Sequence, residues 1–297
     1  MPVVLITGAA GFLGSQVASI ARQRGYDVIA TDLTRSQRKD LAWDRMDTTS
    51  PEQVRTVMTR SHPDAVIHCA ALADVKYCEE NKERARQVNV VGTRNLASMC
   101  RELGSKLIYV STDQVFRGSI TPDRKYSEVD APDPVNYYGR SKLEGEITIR
   151  EELENYVVAR TANLYGYGLG VSQETGVALD IITKLKSGNK VEARSDFYQT
   201  PTSAHDYGNI LIDMSEKPLT GVYHVAGGDL VSRLQYAYKI AEFFRLDKNL
   251  VVTVQSETTR NVGLDCGKIE RALNRKMLSL DQGFEILRAV LKEDGVL

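Results

Sequence analysis

A glycine-rich turn near the N-terminus is the feature that most restricts how this chain can fold. Gly8, Gly11 and Gly14 follow an apolar run at residues 3–7 and open an amphipathic stretch at residues 12–24. The first glycine permits a tight turn, the second lets the backbone approach a ligand, and the third allows helix and strand to pack closely. A strand, a glycine turn and a helix in this order predict the first unit of a doubly wound parallel sheet.

The rest of the first half alternates short apolar runs with longer amphipathic stretches, a pattern typical of parallel strands joined by crossover helices. The sequence predicts strands at residues 3–7, 27–31, 65–68, 106–110 and 156–160. It predicts helices at residues 12–24, 51–59, 85–103 and 137–152. We therefore expect an α/β protein with a Rossmann-type doubly wound sheet in residues 1–165.

The alternation loosens in the second half of the chain. Helical periodicity recurs at residues 175–186, 204–214, 234–244 and 280–291, separated by brief strands such as 222–225. The sequence contains no low-complexity linker and no internal repeat between the halves. We expect residues 166–297 to form a smaller substrate-binding lobe that interleaves with the sheet domain.

Charge and hydropathy narrow the class of ligand. The 297 residues carry 38 Lys and Arg against 39 Asp and Glu, a net charge of -1, without a long basic run. This balance argues against a nucleic-acid partner and favours a small molecule. Because no apolar stretch of about 18 residues occurs, we expect no membrane partner and a cytoplasmic location. The 4 cysteines lack Cys-x-x-Cys spacing, so we expect no metal site.

The glycine turn and the end of the second predicted strand together predict a dinucleotide site. The helix that begins after Gly11 offers unpaired N–H groups and partial positive charge to a pyrophosphate. Asp32 ends the next strand, where a carboxylate accepts hydrogen bonds from the adenosine ribose and repels a 2′-phosphate, which favours NADH. Arg35 and Arg38 follow, and either could pair with a 2′-phosphate. The sequence leaves the choice between NADH and NADPH open.

Tyr138 and Lys142 are candidates for proton transfer. They stand four residues apart in the helix predicted at 137–152, so a phenol and an ammonium lie on one face. A phenol is a weak acid at neutral pH, and a nearby cation is expected to lower its pKa toward the working range. The hydroxyl pair Ser111-Thr112 closes an earlier strand and could complete the site.

The Gly-x-x-Gly-x-x-Gly spacing combined with Tyr138-xxx-Lys142 resembles the extended short-chain dehydrogenase/reductase family over nearly the whole chain. The resemblance implies an NAD(P)-dependent oxidoreductase. Beyond the glycines, it implies cofactor contacts at Phe12, Leu13, Asp47, Thr48, Ala70, Ala71 and Asn89. Asp47 is expected beside the adenine, and Asn89 is expected to organise the active site.

Within that family, residues 111–116, 126–128, 132–134 and 138–146 resemble the dTDP-4-dehydrorhamnose reductases. The resemblance implies that Thr112 holds the C4 carbonyl of a nucleotide-linked sugar while Tyr138 donates a proton to its oxygen. Lys142 is expected to bind the nicotinamide ribose. The implied reaction is reduction of dTDP-4-dehydrorhamnose to dTDP-L-rhamnose.

Asp74, Asp113 and Gln114 are expected contacts of the substrate. Asp113 could hydrogen-bond a sugar hydroxyl or cap a turn, and the sequence does not choose between them. The 4,6-dehydratases of the same family resemble Thr-Asp-Glu at this point, using the third residue as a base. Because Gln114 is a neutral amide, it cannot act as that base, and ketone reduction is favoured over elimination.

The C-terminal half departs from the resemblance at one point. Relatives carry Arg-Pro-x-Asn, whereas this chain reads Thr258-Thr259-Arg260-Asn261. Arginine binds phosphate in a bidentate manner, so either Arg260 replaces the missing residue as a substrate contact or the substrate differs. Two alternatives to the reductase stay open. One is a non-catalytic cofactor-binding regulator that resembles the β subunit of methionine adenosyltransferase, and the other is an epimerase or reductase of another nucleotide sugar. A homodimer is an open alternative to a monomer.

Overall fold

The computed structural model describes residues 1–34, 41–168, 176–293 and 295. In the first half, the strands are β1 (Val3–Thr7), β2 (Asp27–Asp32), β3 (Ala42–Arg45), β4 (Ala65–His68), β5 (Lys106–Thr112) and β6 (Tyr156–Thr161). The helices are α1 (Phe12–Gln23), α2 (Pro51–Ser61), α3 (Val75–Glu80), α4 (Lys82–Arg86), α5 (Gly92–Leu103) and α6 (Tyr137–Glu152). A π-helical turn at Gln87–Val91 joins α4 to α5, and a 3-10 turn at Asp113–Val115 follows β5.

The second half carries shorter strands between helices. Its strands are β7 (Leu164–Tyr165), β8 (Val191–Arg194), β9 (Phe197–Gln199), β10 (Thr202–Ser203), β11 (Gly221–His224), β12 (Val231–Ser232), β13 (Val251–Val254) and β14 (Arg260–Asn261). Its helices are α7 (Val177–Lys186), α8 (Ala204–Glu216), α9 (Arg233–Phe243), α10 (Gly267–Leu273) and α11 (Leu280–Glu293), with a 3-10 turn at Lys248–Leu250.

The central feature is a seven-stranded sheet in the order β11-β6-β5-β4-β1-β2-β3. All of its neighbouring strands are parallel. The chain runs outward from β1 to β3, then returns to β4 on the other side of β1, so the strand order reverses between β1 and β4. Ligands of such sheets bind in the crevice at the carboxyl ends of the strands where the order reverses. This topology confirms the predicted Rossmann-type fold.

Apolar side chains pack on both faces of this sheet and in a separate lobe core. One cluster lies between the sheet and helices α1 and α8, and a second lies on the opposite face under α2, α5 and α6. A third cluster fills the lobe, where Tyr165, Tyr236 and Phe284 are buried against one another. Within the described residues, no helix is long and apolar enough to cross a membrane.

The structure differs from the sequence prediction in several places. The strand expected at 222–225 is β11, and it extends the main sheet by pairing with β6. The helix expected at 85–103 is divided by the π turn, which places Asn89 in the interior. The edge strand β3 and the short helix α3 were not predicted, because four and six residues are too few to show a clear period. The domain boundary at residue 165 stays a prediction.

Candidate active site

A cavity of about 230 Å³ opens beside the ends of β1, β2 and β4, where the strand order reverses. Seven of the predicted cofactor residues line it together: Gly8, Gly11, Asp32, Asp47, Thr48, Ala70 and Ala71. Phe12, Leu13 and Gly14 form the first turn of the adjacent helix α1. The structure therefore brings the predicted glycine turn, carboxylate and strand ends into one site.

The glycine turn is built for close approach of backbone to backbone. Gly8 has a φ of 67°, in the left-handed region, and a Cβ placed on it would lie 2.7 Å from the nitrogen of Ala70. A Cβ on Gly14 would lie 2.1 Å from the carbonyl oxygen of Gly8. Gly11 is the N-cap of α1 and offers no side chain, so no side-chain hydrogen bond caps this helix. Its N-terminal N–H groups therefore suit the phosphates of a dinucleotide.

Asp32 fixes the glycine turn as well as facing the cavity. Its Oδ2 accepts a hydrogen bond from the backbone N–H of Ala10 at 3.1 Å, and its Oδ1 accepts one from Leu33 at 2.7 Å. Each carboxylate oxygen has two lone pairs, so capacity for ribose hydroxyls is left. The predicted alternatives Arg35 and Arg38 lie outside the described residues.

Two further predicted residues hold the backbone around the cavity. Asp47 accepts hydrogen bonds from the backbone and side chain of Thr49, at 2.9 and 2.7 Å. Asn89 is buried and exchanges hydrogen bonds with both backbone groups of Leu72, at 2.9 and 3.0 Å. The Asn89 amide also donates to Ser141 in α6 at 2.9 Å. Asn89 therefore joins the cofactor-side loop to the helix that carries Tyr138.

Helix α6 presents Tyr138 next to the end of β5. Asn136 caps the helix by accepting a hydrogen bond from the N–H of Gly139 at 2.8 Å. A Cβ on Gly139 would lie 2.1 Å from the carbonyl oxygen of Gln114, so glycine lets α6 start directly against the turn after β5. Burial raises the pKa of Tyr138, and a hydrogen bond with Thr112 opposes this rise. Tyr138 and Thr112 therefore share one site.

The charge state of Lys142 differs from expectation. Its side chain is 2% exposed, and its Nζ lies 3.9 Å from the centre of the Tyr109 ring. Burial lowers the pKa of Lys142 to about 7, against a raising effect of Glu146. An amine that deprotonates near pH 7 has lost its charge before a phenol titrates. The expected lowering of the Tyr138 pKa is therefore not found, because desolvation acts on both groups.

The end of β5 carries a chain of polar contacts from Thr112 to the lobe. Thr112 accepts a hydrogen bond from the backbone N–H of Gln114 at 3.1 Å and donates to Asp113 at 3.2 Å. Asp113 is 2% exposed and also accepts from the side chains of Gln114, at 3.0 Å, and Gln199, at 3.1 Å. Burial raises the pKa of Asp113, and these hydrogen bonds limit the rise. The carboxylate of Asp113 thus accepts hydrogen bonds within the turn after β5 and lies next to Thr112.

Three arginines of the lobe surround the ring of Phe197. The guanidinium carbons of Arg233, Arg260 and Arg194 lie 4.3, 5.2 and 5.5 Å from its centre. Arg194 is paired with Asp196 at 2.8 Å. Burial lowers the pKa of both Arg233 and Arg260. The carboxylate of Asp113 opposes this change, whereas the nearby Arg194 adds to it. This excess of positive charge is suited to an anion such as a diphosphate.

The arginines connect the predicted catalytic residues to a second cavity. Arg233 donates a hydrogen bond to Gln199 at 3.4 Å, and Gln199 holds Asp113. Arg233 also lines a cavity of about 450 Å³, together with Asn163 and Tyr236. The hydroxyl of Tyr236 is buried and has no hydrogen-bond partner within the described part of the chain. Space and one unpaired buried hydroxyl therefore lie next to Arg233.

One predicted site residue lies away from the cofactor cavity, and other residues that were not predicted line the site. Asp74 is exposed and caps α3 by accepting a hydrogen bond from the N–H of Tyr77 at 2.6 Å. It does not line the cofactor cavity. Sequence reasoning missed Arg84, which lines that cavity, and Arg233 and Arg194, which join the predicted Arg260 around Phe197. No short motif marks them, because the fold brings them in from distant segments.

No group of three or more His, Cys, Asp and Glu side chains in the described ranges could hold a metal.

Comparison with known protein families decides the classification. The family model described as the RmlD substrate binding domain matches residues 1–270. The chain belongs to this family. A solved relative, the dTDP-4-dehydrorhamnose reductase from Bacillus anthracis in complex with NADP, superposes with a TM-score of 0.86 at 28% identity. The match covers 97% of this chain and 99% of that one.

Curated relatives of this RmlD-family protein have several names. A probable low-salt glycan biosynthesis reductase from Haloferax volcanii is 30% identical over 97% of this chain and 98% of its own length. The β subunit of methionine adenosyltransferase 2 from Bos taurus is 30% identical over 90% of this chain and 81% of its own. The dTDP-4-dehydrorhamnose reductase of Mycobacterium tuberculosis is 34% identical over 85% and 79%. The predicted family and the class, an NAD(P)-dependent oxidoreductase, are confirmed.

Proposed function

We propose that this protein is an NAD(P)H-dependent reductase of the C4 ketone of a nucleotide-linked 6-deoxy sugar, with dTDP-4-dehydrorhamnose as substrate and dTDP-L-rhamnose as product. The observation that carries the proposal is the continuous site from Tyr138 and Thr112, through Asp113 and Gln199, to the arginines around Phe197. Such a site pairs a proton donor with an anion-binding surface, as a nucleotide sugar requires.

The cofactor would lie along the first cavity. The unblocked N-terminus of α1 would bind its pyrophosphate, and Asp32 would bind the adenosine ribose. When bound, a nicotinamide cofactor supplies the hydride for the reduction. The relative from Bacillus anthracis was solved with NADP, which supports NADPH, whereas Asp32 supports NADH. Both cofactors therefore belong in the assay.

The chain's own residues would donate the proton and orient the ketone. Tyr138 would donate its phenolic proton to the C4 oxygen, since its hydroxyl is hydrogen-bonded to that of Thr112. Thr112 would hold that oxygen in place. Lys142 lies one helical turn from Tyr138 and would bind the nicotinamide ribose in its ammonium form.

The phosphates and nucleoside of the substrate would extend into the lobe. Arg260 and Arg233 would bind the diphosphate, because both guanidinium groups face Phe197 and neither forms a carboxylate ion pair among the described residues. The 450 Å³ cavity beside Arg233 is large enough for a nucleoside. Gln114 is bonded to Asp113, Asn136 and Arg260, so a neutral amide lies where a dehydratase needs a base.

A substrate screen tests the proposal. Purified protein is mixed with NADPH or NADH and with the 4-keto-6-deoxy sugars of dTDP, UDP and GDP, while cofactor absorbance is followed. We expect oxidation of the cofactor with the dTDP sugar, and NMR of the product would give the configuration at C4. Absence of oxidation with every 4-keto sugar, in protein shown to bind the cofactor, would exclude the reductase.

The second candidate is a cofactor-binding regulator, favoured by the similarity to the β subunit of methionine adenosyltransferase 2. It predicts binding of the cofactor without turnover of any ketone sugar. Co-purification with a methionine adenosyltransferase and a change in that enzyme's KM would then be expected. A cytoplasmic location and a homodimer stay predictions for either function.

A further inference from the structure

Three charged side chains are almost completely buried beneath the candidate active site. Lys142, Glu146 and Arg160 are 2%, 5% and 4% exposed. Nη2 of Arg160 lies 2.6 Å from Oε2 of Glu146, and its Nε lies 2.9 Å from Oε1. The hydroxyl of Ser111 also donates a hydrogen bond to Glu146, at 2.5 Å. The carboxylate therefore joins α6 to the ends of β5 and β6.

The position of Glu146 relates it directly to both proposed catalytic elements. It follows Lys142 by four residues on α6, so the two side chains lie on the same helical face. Ser111, which binds Glu146, immediately precedes Thr112. A single carboxylate thus contacts the strand end of Thr112 and stands one turn from the amine of Lys142.

The other titratable groups around Lys142 are neutral at pH 7. Burial lowers the pKa of His68 to about 3 and raises the pKa of Cys69 to about 12. Burial also raises the pKa of Tyr109 and of Tyr138. These groups come from the end of β4, from β5 and from α6 itself. Glu146 is accordingly the anion of this buried cluster.

Among the charged groups of the cluster, Lys142 is the one that would change its protonation state if Glu146 were removed. An arginine side chain does not give up its proton in a protein, so the loss of an anion here must be met by another group. With Glu146 present, one carboxylate is paired with Arg160 and lies one helical turn from Lys142. Without it, Arg160 would be an unpaired buried cation, and the least costly response is loss of the proton from Lys142.

We propose that Glu146 is a positioning residue that, from its place between Arg160 and the strand end that bears Thr112, keeps Lys142 in its ammonium form. The consequence for turnover rests on the proposed function. The consequence for Lys142 itself does not, because the charge state of a side chain can be measured without a sugar.

The test compares the protonation of Lys142 in matched variants. Protein labelled with carbon-13 at the lysine ε position is titrated by NMR, and the Lys142 signal is identified by its loss in Lys142→Arg. In Glu146→Gln, which keeps the shape of the side chain, we expect the midpoint to fall by at least about one pH unit, a tenfold change in proton affinity. Ser111→Ala keeps the carboxylate and should leave the midpoint within a few tenths of a unit.

A second pair of variants isolates the carboxylate where Glu146→Gln alone fails to fold. Arg160→Met removes the competing cation, and the double variant Glu146→Gln/Arg160→Met removes both charges. The midpoint of Lys142 should be lower in the double variant than in Arg160→Met by at least about one unit. Equal midpoints in this pair, or an unchanged midpoint in folded Glu146→Gln, would overturn the proposal.

The pH dependence of cofactor affinity gives a second readout. The dissociation constant of NADPH is measured by fluorescence from pH 5.5 to 9 for the wild type and Glu146→Gln. Because the ammonium is lost as pH rises through its pKa, we expect affinity to weaken at a lower pH in the variant. A shifted Lys142 midpoint without any sugar reduction would contradict the proposed function alone, whereas sugar reduction with an unshifted midpoint would contradict this inference alone.

Discussion

The guanidinium of Arg260 donates a hydrogen bond to the side-chain oxygen of Gln114, 3.0 Å away. The two residues are 146 positions apart in the sequence. Their contact brings the amide expected in place of a dehydratase glutamate together with the arginine proposed to bind phosphate. The sugar end and the phosphate end of the proposed site therefore meet through these two side chains.

Replacement of Arg260 by alanine tests the phosphate end. We expect KM for the nucleotide sugar to rise about ten- to hundredfold, since a lost charge-assisted contact costs roughly 1.5–3 kcal/mol. The dissociation constant of NAD(P)H should stay unchanged. Arg194→Ala is the matched control, because Arg194 is already paired with Asp196, and its KM should rise less than about fivefold. Equal effects of the two variants would argue against a specific role of Arg260.

Tyr138→Phe tests the proton donor. Turnover should fall by about two orders of magnitude or more, while cofactor affinity is retained, because the ring still packs and the phenolic proton is gone. Tyr137→Phe, at the neighbouring position of the same helix, should keep turnover near the wild-type value. Steady-state kinetics with saturating cofactor distinguishes the two. Retained turnover in Tyr138→Phe would remove this residue from the mechanism.

Asp32→Asn tests cofactor selection. The amide keeps an acceptor for the glycine turn but removes the negative charge that repels a 2′-phosphate. We expect affinity for NADPH, relative to NADH, to rise at least about tenfold, as measured by fluorescence titration. Asp27→Asn, at the exposed start of the same strand, should leave the ratio unchanged. An unchanged ratio in Asp32→Asn would mean that another group selects the cofactor.

The pH dependence of stability tests the buried His68. Its ring nitrogens contact the hydroxyls of Thr7 and Thr93, at 2.7 and 3.1 Å, and burial lowers its pKa from 6.5 to about 3. The unfolded chain therefore takes up a proton below pH 6.5 that the folded chain does not, and stability is lost as pH falls toward 3. By pH 5 this histidine alone accounts for about 2 kcal/mol of lost unfolding free energy.

Urea unfolding of His68→Gln should lack the part of the pH dependence of the unfolding free energy that His68 contributes. The difference in unfolding free energy between pH 7 and pH 5 should be smaller than in the wild type by about 2 kcal/mol, whatever the absolute stability of the variant. The exposed His62→Asn serves as control and should follow the wild type. A variant with the wild-type pH dependence would contradict the buried neutral form of His68.

Local sequence predicts the parts of this protein that depend on local interactions. The predicted bounds of α6 are those observed, because Asn136 caps its start and the helical period runs on to residue 152. The glycine turn, the end of β2 and the strand end at Ala70 also meet as expected. Each of these rests on neighbours in the chain or on the regular geometry of a parallel sheet.

Contacts between distant segments could not be predicted in the same way. Gln199 and Arg233 carry no motif, and only the packed lobe brings them to Asp113. The charge state of Lys142 depends on burial beside Tyr109, and the spacing of two residues on a helix says nothing about burial. The expected activation of Tyr138 by this amine was wrong for that reason.

The placement of β11 has a consequence for the order of folding. The strand closes one edge of the sheet by pairing with β6, yet about sixty residues separate the two along the chain. Helix α8 from the same region covers α1, where Ile20 lies against Gly208. During synthesis, the edge of the sheet at β6 therefore stays unpaired until residue 224 has left the ribosome. Helix α1 stays uncovered until α8 has been made. A fragment ending at residue 165 should aggregate rather than fold.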